Sequence, residues 1–391
     1  MSRVLPVIVI SQFFCTSLWF AGNAIIADII KEFHLTPGFL AHLTSAVQFG
    51  FISGTLIFAV LAISDRFSPS KVFFASSVIA AIFNLGIIIV IHPTGLLAFR
   101  FFTGFFLAGI YPVGMKIASD YYKEGLGKSM GFLVGALVIG TALPHLIKSF
   151  TTTLPWKVVI FSTSLLSVTG GLIMLLLKDG PYRKPGQEIN FSSFFSGFRN
   201  KHFRAAAFGY FGHMWELYAF WAFVPVILSM YTLQKPGTGL NVSLLSFFII
   251  ASGGVACVLS GYLSLRFGAK KVATVSLFLS GLCCIISPLF INSFSPFVLV
   301  IFLFLWGLVV IADSPLFSTL VAQNAPAESR GTSLTIVNCI GFSITIISIQ
   351  LINLLSKNIS SQYVYTILSF GPLLGLIALF TNKSTQKSVL R

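Results

Sequence analysis

Twelve apolar stretches, each near the length that crosses a bilayer, fill this chain from end to end with only short polar turns between them. A bilayer core takes about 20 apolar residues per helix, and the stretches fall at 5–27, 39–62, 71–91, 96–116, 127–148, 156–177, 205–228, 243–263, 272–292, 296–318, 331–356 and 362–381. Hydrophobic residues make up 56% of the chain and charged ones 9%, which sets it apart from the usual balance of a soluble domain. The pattern predicts an all-α integral membrane protein.

Lys and Arg set the orientation, because cytoplasmic loops hold their excess. With the N-terminus inside, nineteen of them fall on the cytoplasmic side. Only Lys31, Lys148, Lys157, Lys235 and Lys357 fall outside, and Arg100 lies within a span. Both termini are therefore expected in the cytoplasm, in a multi-pass protein of a cell's inner membrane. The net charge of +15 is a topology signal, and no nucleic-acid partner is expected. The first span follows a lone Arg3 and resembles a signal sequence, but cleavage would leave an odd number of spans, so it reads as a retained helix. Cys15, Cys257, Cys283, Cys284 and Cys339 all lie inside spans without metal-ligand spacing. No metal and no cofactor are expected.

The longest connection, 178–204, is polar, basic and turns amphipathic at Phe191–Phe198. It divides a six-helix bundle at 1–178 from a second at 205–391, with a central cytoplasmic loop at 179–204. A weak repeat links the halves. Arg66-Phe67 and Lys71 follow span 2, and Arg266-Phe267 and Lys271 follow span 8. Pro112 of span 4 matches Pro315 of span 10, and Trp19 of span 1 matches Trp215 of span 7. Such symmetry is expected where one half rocks against the other around a midplane site.

The loops after spans 2 and 8 carry a recognisable signature: Asp65-Arg66 and Lys71 in the first copy, and Gly261, Arg266, Gly268, Lys270 and Lys271 in the second. Span 4 carries Arg100-Phe101-Phe102-Thr103-Gly104. Over essentially the whole chain these features resemble the major facilitator superfamily. The first copy lacks the family's glycines and the second has Leu265 in place of the acidic residue. The resemblance implies two pseudo-symmetric six-helix bundles, secondary transport by alternating access, and a role for Arg100 in proton transfer. Span 5, with Gly131, Gly135, Gly140 and Pro144, resembles an exporter motif without its terminal glycines; spacing of this kind also serves close helix packing.

Asp65 at a helix end can accept bonds from a helix N-terminus or an arginine. Asp65, Arg66, Arg266 and Lys271 are therefore candidates for a conformational latch, and the basic ones are equally readable as positive-inside anchors or lipid-headgroup contacts. Charges at the bilayer centre are costly and default to function. Glu216, in Gly212-His213-Met214-Trp215-Glu216-Leu217-Tyr218, is the sharpest case. A carboxyl taken out of water favours its neutral form, which suits proton coupling; the alternative is a structural bond to a neighbouring helix. His213, three residues earlier, lies on nearly the same helix face and is placed to share a proton with Glu216 or to orient it. Trp215 and Tyr218 offer aromatic walls with polar tips, or plain packing. Asp313 precedes Pro315, and Tyr111 precedes Pro112, so both spans are expected to bend there and to line the cavity. Arg100 points either outward to the interface or inward. Trp19, Asn23 and Gln48 complete the set of cavity candidates, since amides inside spans need partners or water.

The reading is a secondary transporter, not an enzyme, moving a small organic solute with protons through a monomer in the lipid bilayer. Nitrate carriers of the superfamily that the chain resembles are known for an embedded arginine in spans 2 and 8 and Gly/Asn signatures in spans 5 and 11; spans 2 and 8 here contain no arginine and the signatures are absent, so the resemblance disfavours nitrate. Two other classes stand as alternatives: a receptor or scaffold, and a lipid-modifying enzyme, on a transporter-like helical bundle. The loops lack the polar cluster that the enzyme needs.

Overall fold

The computed structural model describes residues 3–90, 92–122, 126–151, 154–183, 195, 197–292, 295–326 and 330–381. The amphipathic segment expected at 191–198 falls mostly outside them, as do Lys123, Lys184, Lys383, Lys387 and Arg391. Among the described residues the fold is helical throughout. Eleven stretches are long and apolar enough to cross a membrane. The twelfth, span 1, is divided into Val4–Thr16, Ala21–Ala24 and Ile26–Glu32.

Local sequence sets the helix ends. Pro69, Pro93 and Pro296 stand in the first turns of spans 3, 4 and 10, where a missing N–H costs nothing. Span 7 is one helix, Lys201–Gln234, whose first turn is capped by the Asn200 side chain accepting from His202 N at 2.9 Å. At 34 residues it is about 50 Å long, well beyond the sequence-based limits of 205–228. Span 8 (Val242–Phe267) passes to span 9 (Ala269–Ile291) through Gly268, whose φ of +85° favours glycine. The matching loop after span 2 solves the turn differently, with Ala62 at φ +49°.

Three spans break. In span 4 the helix Pro93–Leu107 ends and Tyr111–Tyr121 begins afresh with Pro112 in its first turn. In span 10, Pro296–Val309 ends and Ser314–Asn324 begins with Pro315. A proline that cannot bond back along the helix accounts for both. The break in span 1, at Ser17–Phe20, contains neither Pro nor Gly. There the turn tightens, with Leu18 N bonding to Cys15 O and Trp19 N to Thr16 O.

Spans 1, 5 and 6 pack together, as do spans 7, 11 and 12; the two sets meet where span 5 (Leu126–Phe150) lies along span 8 and span 2 (Phe39–Val60) along span 11 (Arg330–Leu355). Small residues allow the close approaches. Gly135 of span 5 lies against Gly254 O of span 8, and Gly140 against span 1 at Thr16 and Phe13. At the face opposite the chain ends, Gln350 Nε2 donates to Ser45 Oγ at 2.9 Å, joining spans 11 and 2. Within the first six spans, Gly50 and Gly104 bring spans 2 and 4 into backbone contact: a Cβ on Gly50 would collide with Phe101 O, and one on Gly104 with Val47 O. The Gly50→Ala variant is accordingly expected to lose about 1–3 kcal/mol and to melt at lower temperature in detergent; an unchanged melting point would show that spans 2 and 4 can part without cost.

Candidate substrate and coupling site

Span 7 presents two buried ionisable side chains to span 10, one on each side of its break. Glu216 Oε1 accepts from Trp306 Nε1 at 2.6 Å, and Trp306 belongs to the first helix of span 10. The Ser280 and Cys284 side chains of span 9 lie beside the same carboxyl. One turn away, His213 Nδ1 lies 2.8 Å from Asp313 Oδ1, and Asp313 immediately precedes the second helix of span 10. The expected sharing between His213 and Glu216 is thus not the arrangement found. Both residues project towards span 10, but the three-residue offset, about 4.5 Å along the axis, gives them different partners. Glu216 Oε2, Asp313 Oδ2 and His213 Nε2 have no hydrogen-bond partner among the described residues, and Asp313 Oδ1 has only its ion-pair contact with His213. Buried groups of this kind either bind something else or change protonation.

Arg100 is 0% exposed, so it does not reach outward to the interface. Its guanidinium donates to the carbonyls of Leu18 (3.0 Å) and Trp19 (2.5 Å) and to Asn84 Oδ1 (3.1 Å). Leu18 and Trp19 form the break in span 1, where the main chain has no helical partners for these oxygens. Gly22 leaves the space: a Cβ there would meet Leu43 and would lie 3.3 Å from Arg100 Nε. Asn84 in turn donates to Ser164 Oγ at 2.9 Å, tying span 3 to span 6. Arg100 has no carboxylate partner among the described residues.

The break places Trp19 where the two sets of spans meet. Trp19 Nε1 donates to Gln48 Oε1 at 3.3 Å. Its ring packs on Phe51, Tyr218 and Phe342, with centroids 4.8, 5.8 and 5.7 Å away. Asn23 Nδ2 donates to Thr44 Oγ1 at 2.8 Å. Tyr111, in the first turn of the second helix of span 4, is only partly buried. Trp215 points elsewhere, donating from Nε1 to Ile367 O of span 12 at 3.2 Å.

At the face that carries the chain ends, Asp65 pairs with Lys116 of span 4 at 2.7 Å. Arg183, where the central connection begins, donates to the carbonyls of Asp65 (2.9 Å) and Phe67 (2.8 Å) and pairs with Asp179. Arg66 and Arg266 are exposed and Lys271 lies over the Phe267 ring; none of the three forms an ion pair among the described residues. The loop after span 2 is thus held to span 4 and to the central connection, both through partners that its own motif does not contain.

Trp306, Asn84, Lys116, Phe51 and Phe342 were not singled out from the sequence. Asn84 carried a usable signal, as an amide inside span 3. The others are ordinary members of apolar or basic stretches until the fold brings them to their partners. The buried pair is expected to be coupled by about 1–3 kcal/mol in a His213→Leu and Asp313→Leu double-mutant cycle read by chemical denaturation in detergent; additive effects would show that the 2.8 Å contact contributes nothing.

The pattern of the Major Facilitator Superfamily matches residues 8–349 and, in a second match, 206–389. The niacin transporter NiaP of Acinetobacter baylyi is 28% identical over 159 residues, 35% of this chain; the matched part spans about a third (36%) of that protein's length. Among solved structures, an inward-facing, unoccupied bacterial homologue of the human lysosomal transporter Spinster is similar with TM-score 0.70 at 15% identity, covering 97% of this chain and 95% of its own. A point mutant of the nucleoside transporter NupG is similar with TM-score 0.74 at 15% identity, covering 97% and 99%. Those likenesses carry the fold, twelve spans in two pseudo-symmetric sets of six. With the pattern matched over most of its length, the chain belongs to the Major Facilitator Superfamily.

Proposed function

We propose that the protein is a secondary transporter that carries a small organic solute across a cell's inner membrane by alternating access, driven by protons, as a monomer with both termini in the cytoplasm. The observation that carries this reading is the pair of buried carboxyls, Glu216 and Asp313, held by span 7 and the broken span 10 with one oxygen of each unpartnered. An ionised carboxyl in a dry interior is costly, so proton uptake and a change of partner go together at such a site. Glu216 is the protonation switch, and Asp313, in contact with His213, is the second buried carboxyl beside the break. Arg100 positions span 1 through its carbonyls. Asp65 acts on the conformational equilibrium through Lys116. The bundles 1–178 and 205–391 are the rocking units, with the connection 179–204 between them.

Several observations support transport over the receptor and enzyme readings. The family is one of transporters, the partial relative is named for niacin and a structural neighbour for nucleosides. The side-chain contacts of spans 2 and 11 at one face, from the Gln350 amide to Ser45 and His42, suit a contact that opens and closes. Both named solutes contain a heteroaromatic ring, and an organic solute fits the aromatic centre better than an inorganic anion.

The test is solute-driven proton movement in proteoliposomes carrying a trapped pH dye, with nucleosides, aromatic acids, amino acids and aliphatic acids supplied in turn. One class is expected to move protons with the wild type. Glu216→Gln is expected to abolish that flux while retaining solute exchange without a gradient. Unchanged flux in the variant would remove Glu216 from the mechanism, and solute uptake with no proton movement would remove the coupling.

A further inference from the structure

The centre of the seam is unusual in its chemistry. Trp19 and Phe51 come from the first six spans, Tyr218 and Phe342 from the last six, and their rings touch across the seam. Phe51 and Phe342 lie 4.6 Å apart by centroid, and Tyr218 and Phe342 5.2 Å. Trp221 adjoins the group, 5.2 Å from Tyr218 and 6.3 Å from Phe20. Packing alone explains rings in contact. It does not explain the polar atoms among them.

Gln48 and Trp221 are both fully buried. Gln48 gives its oxygen to Trp19, but its Nε2 has no partner, and neither does Trp221 Nε1. An N–H left unpaired in the interior is destabilising until something accepts from it. The surplus is therefore mainly of donors. One orphan acceptor, Asn23 Oδ1, stands one turn from Trp19. Arg100 has the same preference, since it holds the Trp19 carbonyl and has no carboxylate partner among the described residues. Glu216 and Asp313 are turned to span 10.

We infer that this seam binds a flat aromatic or heteroaromatic ring carrying a carboxylate, with the ring lodged among Trp19, Phe51, Tyr218 and Phe342 and the carboxylate taken by the free N–H groups of Gln48 and Trp221. The rings now contact one another and leave no ring-thick gap. A planar solute enters as the two sets of spans part, and it restores across itself the face contacts that the separation breaks. A saturated ring of the same size cannot replace those contacts face to face. The inference names the solute class of the transporter reading and rests on it for the role of the site, while binding is measurable by itself.

Titration calorimetry on the full chain in detergent, without a gradient, separates the two. The probes are benzoate and nicotinate, with cyclohexanecarboxylate as the saturated acid and nicotinamide as the neutral ring. Benzoate or nicotinate is expected to bind about tenfold more tightly than either control, as stacking of a ring on an aromatic side chain allows. Phe342→Leu, which keeps an apolar side chain, is expected to shrink the preference over cyclohexanecarboxylate to about threefold or less. Equal binding of the saturated and aromatic acids overturns the inference, as does no binding of either aromatic acid at millimolar concentration; both tests are complete on the wild type if the variant fails to fold. Aromatic acids that bind but never cross proteoliposome membranes would instead retire the transport reading and leave the binding site standing.

Discussion

A guanidinium bonded to two main-chain carbonyls holds the centre of this molecule in place. In hydrocarbon, every main-chain polar group needs a partner within the protein, so a helix cannot simply stop halfway across. Span 1 stops at Ser17–Phe20, and Arg100 supplies the donors that the carbonyls of Leu18 and Trp19 lack. The same side chain reaches Asn84, and Asn84 reaches span 6, so the break is tied into four spans. Because of it, Trp19 stands at the seam and reaches Gln48, Phe51, Tyr218 and Phe342. An arginine that reads as a proton-transfer residue by resemblance is, in its contacts, a positioning residue for span 1.

The breaks in spans 4 and 10 belong to the same economy of main-chain bonds but have a simpler origin. Each begins its second helix with a proline, and in span 10 the freed segment ends on Asp313. That aspartate is held by His213 of span 7, while the helix before the break is held to span 7 by Trp306 and Glu216. The buried ionisable groups His213, Glu216 and Asp313 are therefore gathered along one helix pair, and Trp19, Phe51, Tyr218 and Phe342 along the seam. The two are separate neighbourhoods, and span 7 contributes to both, His213 and Glu216 to one and Tyr218 to the other.

Much of the architecture is legible in the residues, because hydropathy and the Lys/Arg bias are local properties. The twelve spans, the repeat of the loops after spans 2 and 8, and the bends at Pro112 and Pro315 all follow from short stretches read alone. The break in span 1 does not, since Ser17-Leu18-Trp19-Phe20 has no helix-breaking residue and the cause lies eighty residues away at Arg100. Partner choice is equally non-local. His213 reads as a neighbour of Glu216 on one helix face, and only the packing of span 10 decides that each has its own partner. For Asp65, an arginine in the adjoining motif is the obvious mate in sequence, yet Lys116 arrives from the end of span 4. Burial of Glu216, Asp313 and Arg100 could be anticipated from charge in an apolar run; the unpaired atoms of Gln48 and Trp221 could not.

The division of span 10 has a mechanical consequence for span 7. A continuous helix gripped at two points moves as a rod, and both grips let go together or neither does. Here the segment bearing Trp306 and the segment bearing Asp313 are joined by a short non-helical turn. Tilting the piece nearer the chain ends carries Asp313 away from His213 and leaves the indole on Glu216. Span 7 is thus fastened at two places that can be undone one at a time, and the order of their release is a property the molecule can set.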